Sequence, residues 1–405
     1  MKKVISLDFY ADFSRFFSLV CKDLNESSVQ VEWLHLCLFP SSLAYCKIHR
    51  RKSLFVPLLA RKSNNHFLSV SEEQLRDLLV YHGSSDKDLE AIAECYLSYF
   101  YKVLCDNKPD LVIISGDSRL PARCLKLVTE YMDIKTLFFE QGPRSTTLLD
   151  KKGVNANCSF RDENFLQNDF SHQVSGSGTW NGYKKYRVLD IATQISRLFR
   201  FKELPHYVIK LGKREDINYG HFDLDSNDYC LLILQVPEDA NMVLHSPYFD
   251  SHSSIVTAVH SNLPPGITLI VREHPLYQGK YENSLYDYIS EHNIAIDRDS
   301  NLCSLIEHAK FVVVNNSTVG FDTLLKGVPL VVLGDSYYDN EKYCYKYKGK
   351  NLSELLELVL RYGVKVNSVE RANYILSNNF IEGHFRSAEP GTFKSVSSRI
   401  HNELF

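Results

Sequence analysis

No run in the 405 residues approaches the roughly 18 apolar residues that a membrane-spanning helix requires, so any bilayer contact is at most peripheral. The N-terminus, MKKVISLDFYADF, carries two lysines after Met1, but Asp8 and Asp12 break the apolar run, so the segment reads as a first strand and not as an export signal. Ten cysteines form no CxxC pair and stand at irregular intervals, which fits reduced thiols in a cytoplasmic protein better than a disulfide frame. The 15 histidines contain no HExxH and no zinc-type spacing. The motifs GxxxxGK[ST], GxGxxG and GxSxG are missing, which counts against P-loop kinases, dinucleotide-dependent dehydrogenases and serine hydrolases. A formal charge of -3 gives no basic surplus for nucleic acid.

What the chain does have is alternation. The first half reads as strand Val4 to Leu7, helix Asp12 to Leu24, strand Val29 to Leu38 and a long helix from Asp86 to Asp106. Strand Leu111 to Ser115, a helix near Pro121 to Met132 and strand Ile134 to Phe139 follow. A Gly/Ser-rich stretch, Gln173 to Gly182, precedes a helical pattern from Tyr186 to Phe201, and polar residues from Lys213 to Asn227 mark a boundary. Strands near 229–236, 267–272, 294–296, 311–314 and 328–333 then alternate with helices to the end of the chain. Such alternation predicts an α/β protein of two Rossmann-like domains, residues 1–215 and 216–405, facing across a cleft, a layout that GT-B-like glycosyltransferases share with many other α/β proteins.

Four strand-end loops carry the unusual polar chemistry. Phe311 to Leu333 reads as a buried strand, the loop Asn315 to Thr318, a helix closed by Gly327, and a second strand. Asn316, Ser317 and Thr318 thereby sit where free helical N–H groups attract a phosphate, although Ser317 also suits a plain helix cap. Asp322 suits either a ribose hydroxyl or the helix dipole. Arg272-Glu273-His274-Pro275 delivers a cation and an imidazole to the same edge. Gln235 to Asn241 offers Asp239 as a base or nucleophile, or as an N-cap. Glu140-Gln141-Gly142 follows Phe139, with Glu140 as a cleft carboxylate or a turn residue and Gly142 allowing close backbone approach. Two DxD spacings, Asp223 to Asp225 and Asp297 to Asp299, read as solvated turns rather than metal sites.

The order Glu140-Gln141-Gly142, His274-Pro275, Ser317-Thr318 resembles the acidic-x-Gly, His-Pro and Ser-Ser/Thr series of bacterial sialyltransferases. With Gln235-Val236-x-x-Asp239 and Gly153-Val154-Asn155-Ala156-Asn157 it is similar to the retaining β-Kdo transferases of capsule and O-antigen (lipopolysaccharide) synthesis, over about Phe138 to Pro329. That resemblance implies transfer of Kdo from CMP-β-Kdo to a glycan or glycolipid acceptor at the inner face of the inner membrane, without metal or cofactor. It implies Asp239 as nucleophile, with Gln235, Arg272, His274, Asn316, Ser317, Thr318 and Asp322 on the CMP-sugar donor. Gln141 replaces the second acid of several relatives, which leaves Glu140 and Glu163 as candidates for the acceptor's base. Arg144, Arg161 and Arg119 are candidate clamps for the sugar carboxylate, with Asn155 and Asn157 nearby in sequence. Arg119 belongs to a loop, Gly116 to Arg119, that also offers an acceptor contact. A transferase using CMP-sialic acid or a UDP-sugar, and a non-catalytic glycan- or nucleotide-binding module, are the alternatives. Thermal shift by CMP against UDP, and sensitivity to replacing Asp239, discriminate among them.

Overall fold

The computed structural model describes residues 1–27, 29–62, 70–80, 87–163, 183, 185–191, 203–204, 214, 217, 228–237, 239–298 and 300–405. The expected loop at 173–182, the DxD at 223–225, and most of the stretches expected at 186–201 and 213–227 lie outside these residues. The chain forms two compact units, one of Met1–Val154, Gln173–Tyr207 and Asn379–Phe405, the other of Asn155–His172 and Val208–Asn378.

The first unit is built on β1 (Lys2–Asp8), β2 (Val31–Cys37), β3 (Ser53–Phe55), β4 (Leu111–Ser115), β5 (Thr136–Gln141) and β6 (Thr147–Asp150), joined by β13 (Phe380–Ile381). Their order is β3-β2-β1-β4-β5-β6-β13, parallel through β5 and antiparallel at the β5–β6 and β6–β13 pairings. β4 is LVIIS, buried at all five positions, as expected where helices cover both faces of a parallel sheet. Phe13, Phe16, Phe17, Phe139 and Phe385 form one aromatic cluster, with Phe385 5.0 Å from Phe139 and 4.6 Å from Phe13 between ring centres. Each such buried ring contributes roughly 1.5–3 kcal/mol of burial. Much of the high aromatic content is therefore core.

The second unit carries a fully parallel six-stranded sheet of β7 (Tyr229–Ile233), β8 (Thr268–Arg272), β9 (Ala295–Asp297), β10 (Phe311–Val314), β11 (Leu330–Val332) and β12 (Tyr345–Lys346). Read from β9, the order is β9-β8-β7-β10-β11-β12, which is the 3-2-1-4-5-6 winding of a dinucleotide-type fold. The winding reverses between β7 and β10, and the chain leaves these two strands in opposite directions at their carboxyl ends. The α/β class and the parallel sheets agree with the sequence expectation.

Three differences follow from pairings that a linear pattern does not reveal. Glu140 and Gln141 lie within β5, opposite Leu148 and Thr147, because a tight turn at Pro143–Ser145 folds the chain back as β6. Gly142 makes its close approach to Phe380 and the Thr146 hydroxyl: a Cβ there would fall 2.5 and 2.3 Å from them. Residues 379–405, assigned by sequence to the second domain, supply β13 and the helix Pro390–Leu404, which packs on the helix Ala11–Glu26 of the first unit.

His384 accompanies this return. Its Nδ1 accepts the Arg386 backbone N–H at 3.1 Å and its ring stacks on Phe385. Burial, reinforced by the Arg386 charge, holds its pKa down at about 4. The unfolded chain binds a proton on this ring near the ordinary value of about 6.5, whereas the folded chain does not, so stability falls as pH drops through that window. Thermal melts between pH 7 and 4 should show this loss, and His384→Gln, which can still accept the Arg386 N–H, should flatten it. An unchanged pH slope in the variant counts against the assignment.

Candidate active site

The loops after β7 and β10 are tied together at the point where the winding reverses. Asn316, buried, donates through Nδ2 to the carbonyls of Asn241 at 2.9 Å and His245 at 2.8 Å. Its backbone N–H points to Gln235 Oε1 at 3.4 Å. With these donors committed, the buried Asn316 Oδ1 and Gln235 Nε2 are an acceptor and a donor without hydrogen-bond partners among the described residues. Unpaired buried amide atoms are costly, and atoms of this kind at a strand edge suit a polar ligand.

Ser317 caps the helix Thr318–Leu325, its Oγ accepting the Val319 N–H at 3.3 Å, so the capping role foreseen for it is realised. Thr318, exposed, is the first helical residue. The Tyr338 hydroxyl donates to the Ser317 carbonyl, and the side chain lies so close to Gly320 that a Cβ there would meet the hydroxyl oxygen at 2.6 Å and ring carbons at 2.9 Å. Glycine at 320 thus lets the helix start settle on the aromatic ring. Asp322, half-buried, acts electrostatically on Tyr337 and Tyr338. Gly327, with φ 66°, closes the helix as expected.

Asp239 occupies the N-cap position of the short helix Ala240–Leu244, yet its side chain makes no capping bond. Its carboxylate instead accepts from Asn241 Nδ2 at 3.3 Å and acts on the imidazole of His274. His274 is half-buried: burial lowers its pKa below the usual histidine value, while the Asp239 charge pulls the other way. The loop bearing His274 is braced from beneath. Glu273, 2% exposed, accepts the Gly279 N–H at 3.0 Å and the Tyr286 hydroxyl. The Tyr281 hydroxyl accepts the His274 N–H at 3.0 Å and donates to the Gln235 carbonyl at 3.1 Å, linking the β8 and β7 loops.

The structure therefore gathers Gln235, Asp239, His274 and Asn316 into one bonded neighbourhood, with Asn316 leading directly into Ser317. Other expected residues are placed differently. Arg272 is ion-paired with Asp297, its partner in register on β9. Asp297 itself is buried and also receives the Ser300 hydroxyl, so it is a sheet-edge counter-ion rather than a solvated turn. Arg161 forms two bonds to Asp339, at 2.9 and 2.7 Å, and one to Asp335 at 3.0 Å, which occupies the fork expected to hold a sugar carboxylate. Asn155 (φ 52°) and Asn157, both half-buried, lie in a short 3-10 turn, and Glu163 is exposed just after the next turn. In the first unit, Glu140 accepts the Gln141 N–H at 2.9 Å, Arg144 is exposed with φ 49°, and Arg119 precedes the helix Leu120–Tyr131.

Sequence reasoning missed Glu273, Tyr281, Tyr286 and Tyr338. Glu273 had a readable signal: flanked by Arg272 and His274 at a strand end, the middle residue faces the opposite side and into the protein. The tyrosines had none beyond the general aromatic surplus.

A family model described as "Capsule polysaccharide biosynthesis protein" matches residues 110–345. The capsule polysaccharide export protein KpsS of Escherichia coli is 31% identical over 162 residues, 38% of either chain. Protein FixF of Sinorhizobium fredii is 29% identical over 180 residues, 42% of either chain. The match thus spans about two fifths of the length of these curated relatives. Among solved structures, Thermosulfurimonas dismutans KpsC, a beta Kdo 2,7 transferase, aligns over 99% of both chains with 12% identity and a TM-score of 0.44.

The bracing of the His274 loop can be measured. Glu273→Ala strands the Gly279 N–H and the Tyr286 hydroxyl in the interior, and should cost about 2–3 kcal/mol in urea unfolding. A loss below about 0.5 kcal/mol, the range of ordinary surface changes, would remove Glu273 as the support.

Proposed function

Because the chain belongs to the capsule polysaccharide biosynthesis family, we propose that it is a glycosyltransferase that moves Kdo from CMP-β-Kdo to a capsule or O-antigen acceptor with retention. The observation that carries this reading is the bonded cluster of loops bearing Gln235, Asp239, His274 and Asn316 beside the helix start capped by Ser317, with the Asp239 charge acting on the His274 imidazole. An anionic leaving group fits the imidazole and the helix start, and an electrophilic sugar carbon fits the carboxylate.

In the proposed reaction Asp239 attacks the anomeric carbon of Kdo, whose bond to the phosphate oxygen of CMP breaks. The leaving phosphate takes its stabilisation from His274 and the N–H groups of the helix start at Ser317 and Thr318. The acceptor hydroxyl then attacks the same carbon, loses its proton to a base and frees Asp239, and two inversions give net retention. Glu140 and Glu163 are the candidates for that base. CMP carries one phosphate, less charge than a nucleoside diphosphate, so this chemistry proceeds without a divalent cation. The acceptor is a glycan or glycolipid reached by peripheral contact at the inner face of the inner membrane, where the enzyme works as a cytoplasmic protein. Among the described residues no helix is long and apolar enough to cross a membrane.

Incubation with CMP-Kdo should give an adduct of one Kdo by intact mass, mapped to the peptide holding Asp239, and Asp239→Ala should abolish both adduct and transfer. Near wild-type turnover in that variant ends the nucleophile role. Stabilisation by UDP but not CMP would replace the donor, and ligand binding without turnover would make the chain a binding module. Activity should persist without added magnesium.

The histidine gives a separate test. Burial keeps His274 neutral at neutral pH, and a bound phosphate raises its pKa, so CMP binding should take up protons from solution. Calorimetry in buffers of different ionisation enthalpy should detect this uptake in the native chain. His274→Gln should lose it, and equal uptake in both would separate His274 from the phosphate.

A further inference from the structure

The first unit holds a side-chain cluster with no part in the transfer chemistry. Asp8 ends β1, His35 lies in β2, Cys37 ends β2, and Cys46 projects from the helix Pro40–Ile48. All four are at most 1% exposed. A carboxylate oxygen of Asp8, a ring nitrogen of His35 and Sγ of Cys46 lie within 4.8 Å of one another. Cys37 Sγ stands 3.9 Å from Cys46 Sγ.

We propose that this cluster is a structural zinc site with Asp8, His35 and Cys46 as ligands, and with Cys37, which lies beside Cys46 but outside the mutually close trio, drawn in as the fourth. Tetrahedral zinc with bonds of about 2.3 Å to sulfur places two thiolates about 3.8 Å apart, which matches the two sulfurs. One carboxylate, one imidazole and two thiols are the donor types that zinc selects. The surroundings also supply the outer support that ligating side chains need. The Ser6 hydroxyl donates to Asp8 Oδ1 at 2.6 Å and is itself held by Trp33 Nε1 at 2.9 Å. The Ser14 hydroxyl donates to Asp8 Oδ2 at 2.7 Å and contacts the Ser42 hydroxyl, joining the helices Ala11–Glu26 and Pro40–Ile48 around the cluster.

The closest competitor is a self-contained hydrogen-bonded pair, since His35 Nδ1 lies 2.7 Å from Asp8 Oδ2. That contact is too short for two ligands on one metal, so zinc entry spreads it to about 3.2 Å. Binding releases the thiol protons of Cys37 and Cys46 and the proton shared by His35 and Asp8, with no change of oxidation state. Four protein ligands leave no open position, so the metal ties β1, β2 and the helix Pro40–Ile48 together and takes no part in catalysis.

The test uses the full chain grown with zinc and desalted. Elemental analysis should find about one zinc per chain. After stripping with a chelator, added zinc should raise the melting temperature by about 5 °C or more, and added cobalt should give thiolate-to-metal absorption. The double change Cys37→Ser, Cys46→Ser should lose the metal. A native chain that retains no zinc and whose melting temperature ignores added zinc overturns the proposal, whether or not the variant folds. Undiminished zinc in a folded double variant overturns it equally.

Discussion

One carboxamide holds the crevice of the second unit in shape. Asn316 spends both side-chain hydrogens on the carbonyls of Asn241 and His245, across the gap where β7 and β10 send their loops apart. Divergent loops lack a ladder between them, so a side chain must supply the tie. The tie fixes three things at once. It sets the start of the helix that Ser317 caps, it holds the short helix that follows Asp239, and it decides which face of its own amide remains unpaired. Tyr281 extends the same logic to the third loop by joining the His274 backbone to the Gln235 carbonyl. Rigid supports of this kind let a ligand meet groups already in position.

The sequence shows clearly whatever depends on local pattern. β10 is legible to the residue, because FVVV is wholly apolar and NNST ends it, and Gly327 marks the end of the following helix. His274-Pro275 and Gln235 to Asp239 were recognisable as strand-end loops for the same reason. Lateral neighbours were not legible. Arg272 reads as a cation offered to a ligand until the β8–β9 register sets Asp297 beside it. Glu140 reads as a loop acid until β6 turns back along β5. Arg161 follows the same rule, since its acids lie more than 170 positions further along the chain.

The Arg161 cluster also explains why residues 155–163 belong with the second unit although they precede its first strand. Asp335 and Asp339, on the segment after β11, take Arg161 from one side and Lys346 from the other. Two cations and two carboxylates cancel within one partly buried knot. Arg371 adds a bond to the Phe160 carbonyl, so the stretch from Asn155 to Asp162 is nailed to helices and loops far from it in sequence. Removing one member of such a knot costs more than its share, because an uncompensated charge stays behind.

The return of β13 and the Pro390–Leu404 helix to the first sheet bears on how the protein is made. Synthesis proceeds from the N-terminus, and a domain contiguous in sequence can close while the rest is still being translated. Here the Phe385 ring that seats between Phe13 and Phe139 is made only after all six strands of the second sheet. The nascent first unit must therefore wait on the ribosome with an aromatic cleft uncovered, while the contiguous strands of the second unit can already assemble. The ring that closes the first unit is thus made after the whole sheet of the second.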